Sequence, residues 1–251
     1  MLDANVSTRG LAGIRGLGGL AWPLAAAAAG LLFLGAPGAE AKESKGTGSK
    51  GSTFEYGARV QAPQRFLERR SFLRAGIIDT RKHSAAVRYL VERYGHVDDE
   101  STTRWNGQAA YAQARTVRFM GLPISIHARI APALAAVEKR ITRTCTGGSR
   151  YTPRAIGGFR TVNTYRGTEI SNHLLGIAID IDPDRNPCCG CVDPWPSSPL
   201  CKKEGPVFQR TALPRCWVHA FERFGFDWLG HDTLEDTMHF EFLGDPDRIT
   251  R

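Results

Sequence analysis

Two short segments of this chain carry metal-ligand side chains in an alternating pattern. In residues 177–182, Ile177, Ile179 and Ile181 fall on one face of a strand, and Ala178, Asp180 and Asp182 fall on the other. Residues 238–242 repeat the arrangement, with Met238, Phe240 and Phe242 on the apolar face and His239 and Glu241 on the polar one. If the two strands are neighbours, Asp180 and His239 converge. His173 lies seven residues before Asp180, and a turn at Gly176 can fold its imidazole back beside the strand. Two imidazoles and one carboxylate suit Zn²⁺ and leave a fourth position for solvent, as a catalytic site requires. A lone histidine on a strand is ordinarily a satisfied core residue. Here one histidine lies in an alternating segment and the other just before its companion segment, each with a carboxylate in reach, and that joint pattern makes a metal a reading to weigh.

A hydrolytic zinc site also needs a base and a second cation. Asp236 precedes His239 by three residues and can take a proton from water and pass it to a leaving amine. Glu235 competes for that role by position. Arg160, after Gly157-Gly158-Phe159, can hold a developing oxyanion or a substrate carboxylate.

These groups also match a known pattern. Ser171-Asn172-His173-Leu174-Leu175-Gly176-Ile177-Ala178-Ile179-Asp180 fits SxHxxGxAxD, which resembles the signature of the D-alanyl-D-alanine carboxypeptidase family of zinc peptidases. That family includes vancomycin-resistance D,D-peptidases and phage L-alanyl-D-glutamate endopeptidases, and it is related to hedgehog signalling domains. Asp236-Thr237-Met238-His239-Phe240-Glu241 is similar to the second family motif, and Phe159-Arg160 to an upstream aromatic-Arg pair. The resemblance spans roughly residues 120–251. It implies zinc ligands His173, Asp180 and His239, Asp236 as general base and Arg160 as transition-state clamp. It also implies a small, mostly antiparallel sheet with flanking helices. Family carboxypeptidases mostly carry Glu as the base. Asp236 followed by His-Phe, and the Trp228-Leu229-Gly230-His231-Asp232 stretch, resemble the endopeptidase branch more closely.

Around the core set, Ser171 either binds substrate or caps a turn. His231 is a candidate substrate contact, Glu241 can orient His239 from behind, and Asp182 reads as a turn residue. His83, His96, His127 and His219 read as ordinary, in or near helices.

The elements that must position these residues are legible in part. Val87, Leu90, Val91 and Tyr94 predict a helix ending at Gly95. A second is expected over 108–120, stopping at Gly121. A third carries Ile130, Leu134, Val137 and Ile141, with Pro132 tolerated in its first turn. A fourth covers 214–224 before Gly225. Helices first, then strands with the polar groups, indicate an α+β domain.

The ends and loops suggest organisation. Residues 1–41 have a basic lead, an apolar run and a small-x-small end, which predicts a secretory signal peptide. Residues 42–75 read as a basic flexible linker, with Arg69-Arg70 either solvated or part of a wall-binding arm. Residues 76–119 read as a helical lead-in, and 120–251 as the zinc peptidase domain. The loop 186–213, rich in Pro, Cys and Ser, reads as an insertion stapled by disulfides. Six cysteines in an exported chain favour disulfides. The alternative is a thiolate zinc site built on Cys188 and Cys191 with Cys201 and Cys216. The mature chain keeps a charge of +8, because the leader removes Arg9, Arg15, Asp3 and Glu40. A basic protein of the periplasm or cell exterior suits the anionic wall or envelope lipid. No nucleic-acid recognition motif is present. Expected partners are peptidoglycan stem peptides, and three activities follow. They are D,D-carboxypeptidase action, L-alanyl-D-glutamate endopeptidase action, or zinc-containing wall binding without hydrolysis.

Overall fold

The computed structural model describes residues 53–97, 100–165, 169–192 and 194–251. The expected signal peptide and the linker up to residue 52 lie outside these residues.

Helix formation follows local chemistry. After two short hairpins, β1 (Phe54–Glu55) with β2 (Ala58–Arg59) and β3 (Leu73–Arg74) with β4 (Ile77–Ile78), the chain enters its first long helix. A one-turn helix, α1 (Arg69–Phe72), leads into β3. The long helix α2 (Thr80–Tyr94) starts at Asp79, whose carboxylate accepts the Lys82 backbone N–H, a cap worth about 1 kcal/mol. Its buried face is Ala86, Leu90, Val91 and Tyr94. A single turn, α3 (Glu100–Thr103), follows. The helix α4 (Ala131–Thr144) takes Pro132 in its first turn and buries Leu134, Val137 and Ile141. The last, α5 (Arg215–Glu222), buries Trp217, Val218 and Phe221.

The segment 108–120 departs from expectation. After a 3-10 turn at Ala110–Gln113 it becomes the strand β5 (Ala114–Phe119), paired in full register with β6 (Leu122–His127). Met120 (φ 49°) and Gly121 (φ 85°) make the two-residue connection in the left-handed region that a tight hairpin requires. Gly121 is therefore a hairpin turn and not a helix stop.

The central sheet has the order β7 (Ile156–Gly157), β8 (Ala178–Ile181), β10 (His239–Phe242), β9 (Phe226–Trp228), with every pairing antiparallel. Its apolar face meets the helices. Phe240 stacks on Phe221 of α5 with ring centroids 4.1 Å apart, and Ile179, Ile181, Phe226 and Phe242 join the same core. The result is an α+β fold with small antiparallel sheets and flanking helices.

Residues 53–75 differ from the expected mobile linker. Arg69 is mostly buried, with ion pairs to Glu169 and Asp232, each at 2.8 Å. Arg70 reaches Asp227 at 3.1 Å. The cationic pair read as solvated instead ties the N-terminal hairpins to β9 and to the loops beside the sheet. Those acidic partners are distant in sequence, so no local pattern announces them.

All six cysteines pair, as Cys145–Cys216, Cys188–Cys191 and Cys189–Cys201. The thiolate zinc alternative is thereby set aside. Two of the bonds staple the 186–213 loop, and the third ties the end of α4 to α5.

Candidate metal centre

The register of the sheet builds the site. His239 sits directly opposite Asp180, and Gly157 pairs with Asp180 from the other side. Their side chains leave the sheet on the face opposite Phe240 and Ile179. His173 joins them because the chain turns at Gly176 (φ 66°), where a side chain would collide with the Phe159 ring. The ligand atoms of His173, Asp180 and His239 all lie within 4.8 Å of one another, and all three residues are buried. His239 Nδ1 is 2.8 Å from Asp180 Oδ1 and 3.2 Å from His173 Nε2, which is 3.1 Å from Asp180 Oδ2.

The outward ring nitrogens are also held. His173 Nδ1 lies 2.6 Å from the Gly158 carbonyl oxygen, so it carries the proton and leaves Nε2 free to bind. His239 Nε2 lies 3.0 Å from Glu241 Oε1 and is oriented in the same manner.

The electrostatics call for a cation. Burial disfavours the Asp180 carboxylate, yet its contacts with His173 and His239 hold it well below the usual range. Burial likewise opposes the His239 imidazolium, but Asp180 and Glu241 push its pKa well above that of a free histidine. His173 is lowered, chiefly by burial. His239 lies between two buried carboxylates, Asp180 and Glu241, and Arg160 brings positive charge by pairing with Asp180 Oδ2. A divalent ion fits the same donors, with an imidazole and carboxylate chemistry suited to zinc.

Asp236 is different. Burial pushes its carboxyl up to about 7, and its Oδ1 is buried with no hydrogen-bond partner. Its rival Glu235 is occupied, because Arg210 holds both of its oxygens at 2.6 and 2.9 Å.

Other expected residues separate clearly. The Ser171 hydroxyl accepts the His173 backbone N–H at 3.4 Å, which is the turn-capping alternative. Asp182 is a turn anchor that accepts Tyr151 Oη–H and two backbone N–H groups. His231 does not join the cluster. Its ring packs against Trp228 and Phe208, and its Nδ1 faces Glu222 at 3.7 Å. Trp228 lies opposite Phe240 in the register, on the core face, so a side chain leaning on it is carried away from His239. His127 ends β6 and caps the 3-10 turn Ala128–Ile130 that leads into α4, near a helix as expected. Its Nε2 lies 3.0 Å from the Tyr94 carbonyl oxygen, and burial drops its pKa to about 4.

A cleft of about 510 Å³ opens next to Arg160, with Tyr111, Leu174, Ile170 and His96 among its walls. Tyr165 was missed in the sequence. It shares a small cavity with Arg69, Glu169 and Glu241, and burial raises its phenol well above its ordinary pKa. No spacing rule marks it, since it lies on a loop outside both motifs.

The family model described as D-alanyl-D-alanine carboxypeptidase matches residues 164–242. That span includes His173, Asp180, Asp236 and His239, and leaves out Arg160. Neither the curated proteins nor the solved structures contain a match to the chain.

Proposed function

We propose, on the match of residues 164–242 to the model described as D-alanyl-D-alanine carboxypeptidase, that this chain is an exported zinc peptidase that hydrolyses peptidoglycan stem peptides. His173, Asp180 and His239 would hold Zn²⁺. The observation that carries this reading is the convergence of three buried donors, two of them imidazoles whose outward nitrogens are already oriented.

When bound, zinc supplies Lewis-acid polarisation of the scissile carbonyl. Asp236 takes a proton from the attacking water and returns it to the leaving amine. Its burial beside the cluster, with one oxygen unpartnered, suits a base whose pKa must lie near the working pH. Arg160 borders both Asp180 and the cleft, which is where charge on a carbonyl oxygen needs a counter-ion. Glu241 and the Gly158 carbonyl keep the imidazoles aimed.

The primary reading is removal of a terminal D-alanine. Cleavage between L-Ala and D-Glu is favoured by one observation, the aspartate at the base position. The pairing of all six cysteines supports an oxidising compartment, periplasmic or extracellular.

Digestion of purified muropeptides, with and without a chelator, tests the proposal. Loss of one alanine supports the carboxypeptidase, and loss of the whole stem supports the endopeptidase. Chelator-sensitive release of a new amine is expected. Wall binding with no release in either condition identifies a non-catalytic module and ends the enzymatic reading.

A further inference from the structure

The loop that carries Asp236 is gripped by the cysteine-rich insertion through backbone contacts. Cys189 N–H donates to the Glu235 carbonyl at 3.2 Å, and Gly190 N–H to the Leu234 carbonyl at 2.7 Å. In return, Thr237 N–H and its hydroxyl donate to the Pro187 carbonyl at 3.2 and 2.9 Å. Cys188 and Asp236 face each other as an antiparallel bridge. Gly190 lies so close that a Cβ there would meet the Thr233 and Leu234 carbonyl oxygens at 2.7 Å. The Cys188 and Cys191 sulfurs both lie within 4.8 Å of an Asp236 carboxylate oxygen. They are joined to each other, so neither has a proton to donate. The Asp236 Oδ1 is buried without a hydrogen bond.

We propose that the Cys188–Cys191 disulfide positions Asp236, fixing the loop that aims its carboxylate at the His173–Asp180–His239 cluster and keeping hydrogen-bond donors away from its free oxygen. The proposal rests on the reading of Asp236 as the base. The two sulfurs take no part in the proton transfer. They act through the carboxylate.

Three double variants of the full chain separate positioning from mere stapling: C188A/C191A, C189A/C201A and C145A/C216A. Disulfide stabilisation grows with the length of chain enclosed, and the sequence separations are 3, 12 and 71. Thermal midpoints should therefore fall least in C188A/C191A and most in C145A/C216A. Turnover should show the reverse order. We expect kcat on muropeptides to drop at least tenfold in C188A/C191A, with KM and zinc content unchanged, and less than twofold in the other two. Turnover losses that follow the thermal ranking overturn the proposal. D236N provides the separate check on its premise. An inactive D236N beside a fully active C188A/C191A overturns the positioning role alone, whereas a fully active D236N removes the base reading itself. If C188A/C191A does not fold, graded reduction of the wild-type protein replaces it, with each disulfide followed by alkylation and mass spectrometry. Activity that falls with opening of Cys188–Cys191 and returns on reoxidation supports the proposal. Activity that follows either other bond overturns it.

Discussion

The central sheet and the loop at residues 233–237 face the same centre but hold their charged groups in opposite ways. On the sheet, His239 bridges Asp180 and Glu241 through its two ring nitrogens, so each carboxylate is compensated. In the loop, Asp236 keeps a buried oxygen with no hydrogen bond. Burial acts on both carboxylates, yet Asp180 ends well below the ordinary range and Asp236 near 7. The difference is partners. Groups read as ligands of an ion are satisfied by one another, whereas the group read as the proton carrier is left desolvated.

The largest effect that tests this contrast comes from the sheet. H173A or D180A should remove zinc retention and peptide hydrolysis together, measured by metal analysis and muropeptide release. A variant without metal that still cleaves would break the comparison. Next comes D236N, which should keep its zinc and lose about 10²- to 10⁴-fold in kcat. In the wild type the rate should climb with pH as Asp236 ionises. A divalent ion beside it favours the carboxylate, so the acid limb should lie at or below pH 7 and vanish from the residual activity of D236N. A smaller effect is expected for E241Q. Loss of the charge behind His239 Nε2 should weaken metal affinity about 10- to 100-fold, read by competition with a chelator. The smallest effect on catalysis belongs to C145A/C216A, far from the contrast. It should cost about 4 kcal/mol of stability by the chain-entropy argument and leave kcat nearly unchanged below the unfolding range.

The site was far more legible than its surroundings. Ile177, Ile179 and Ile181 force Asp180 to the opposite face whatever the rest of the fold does, and Phe240 does the same for His239 and Glu241. Alternation is a local property, so local sequence reports it. The helices α2, α4 and α5 were equally plain from their apolar spacing. The segment 108–120 misled because Gln108, Ala109, Ala110, Ala112 and Ala114 are permissive in a helix, while its end, Thr116-Val117-Arg118-Phe119, is strand-like. Pairing with β6 through a left-handed turn at Met120 and Gly121 decided between them. Arg69 and Arg70 read as a solvated pair because the acidic partners that tie them to the rest of the fold, Glu169, Asp232 and Asp227, lie 100 to 163 residues away. His231, a candidate substrate contact, packs on Trp228 and lies outside the cluster of His173, Asp180 and His239.

The sequence by itself determined which side chains could bind a metal and that they would leave the core on a common face, because strand period and residue type need no partner to express themselves. Only the tertiary structure decided that His239 stands opposite Asp180, that His173 folds in beside them, that Cys188 pairs with Cys191 against Asp236, and that Arg69 closes on Glu169 and Asp232. Those relations join residues far apart along the chain, and strand register, loop closure and burial settle them only when the whole core packs.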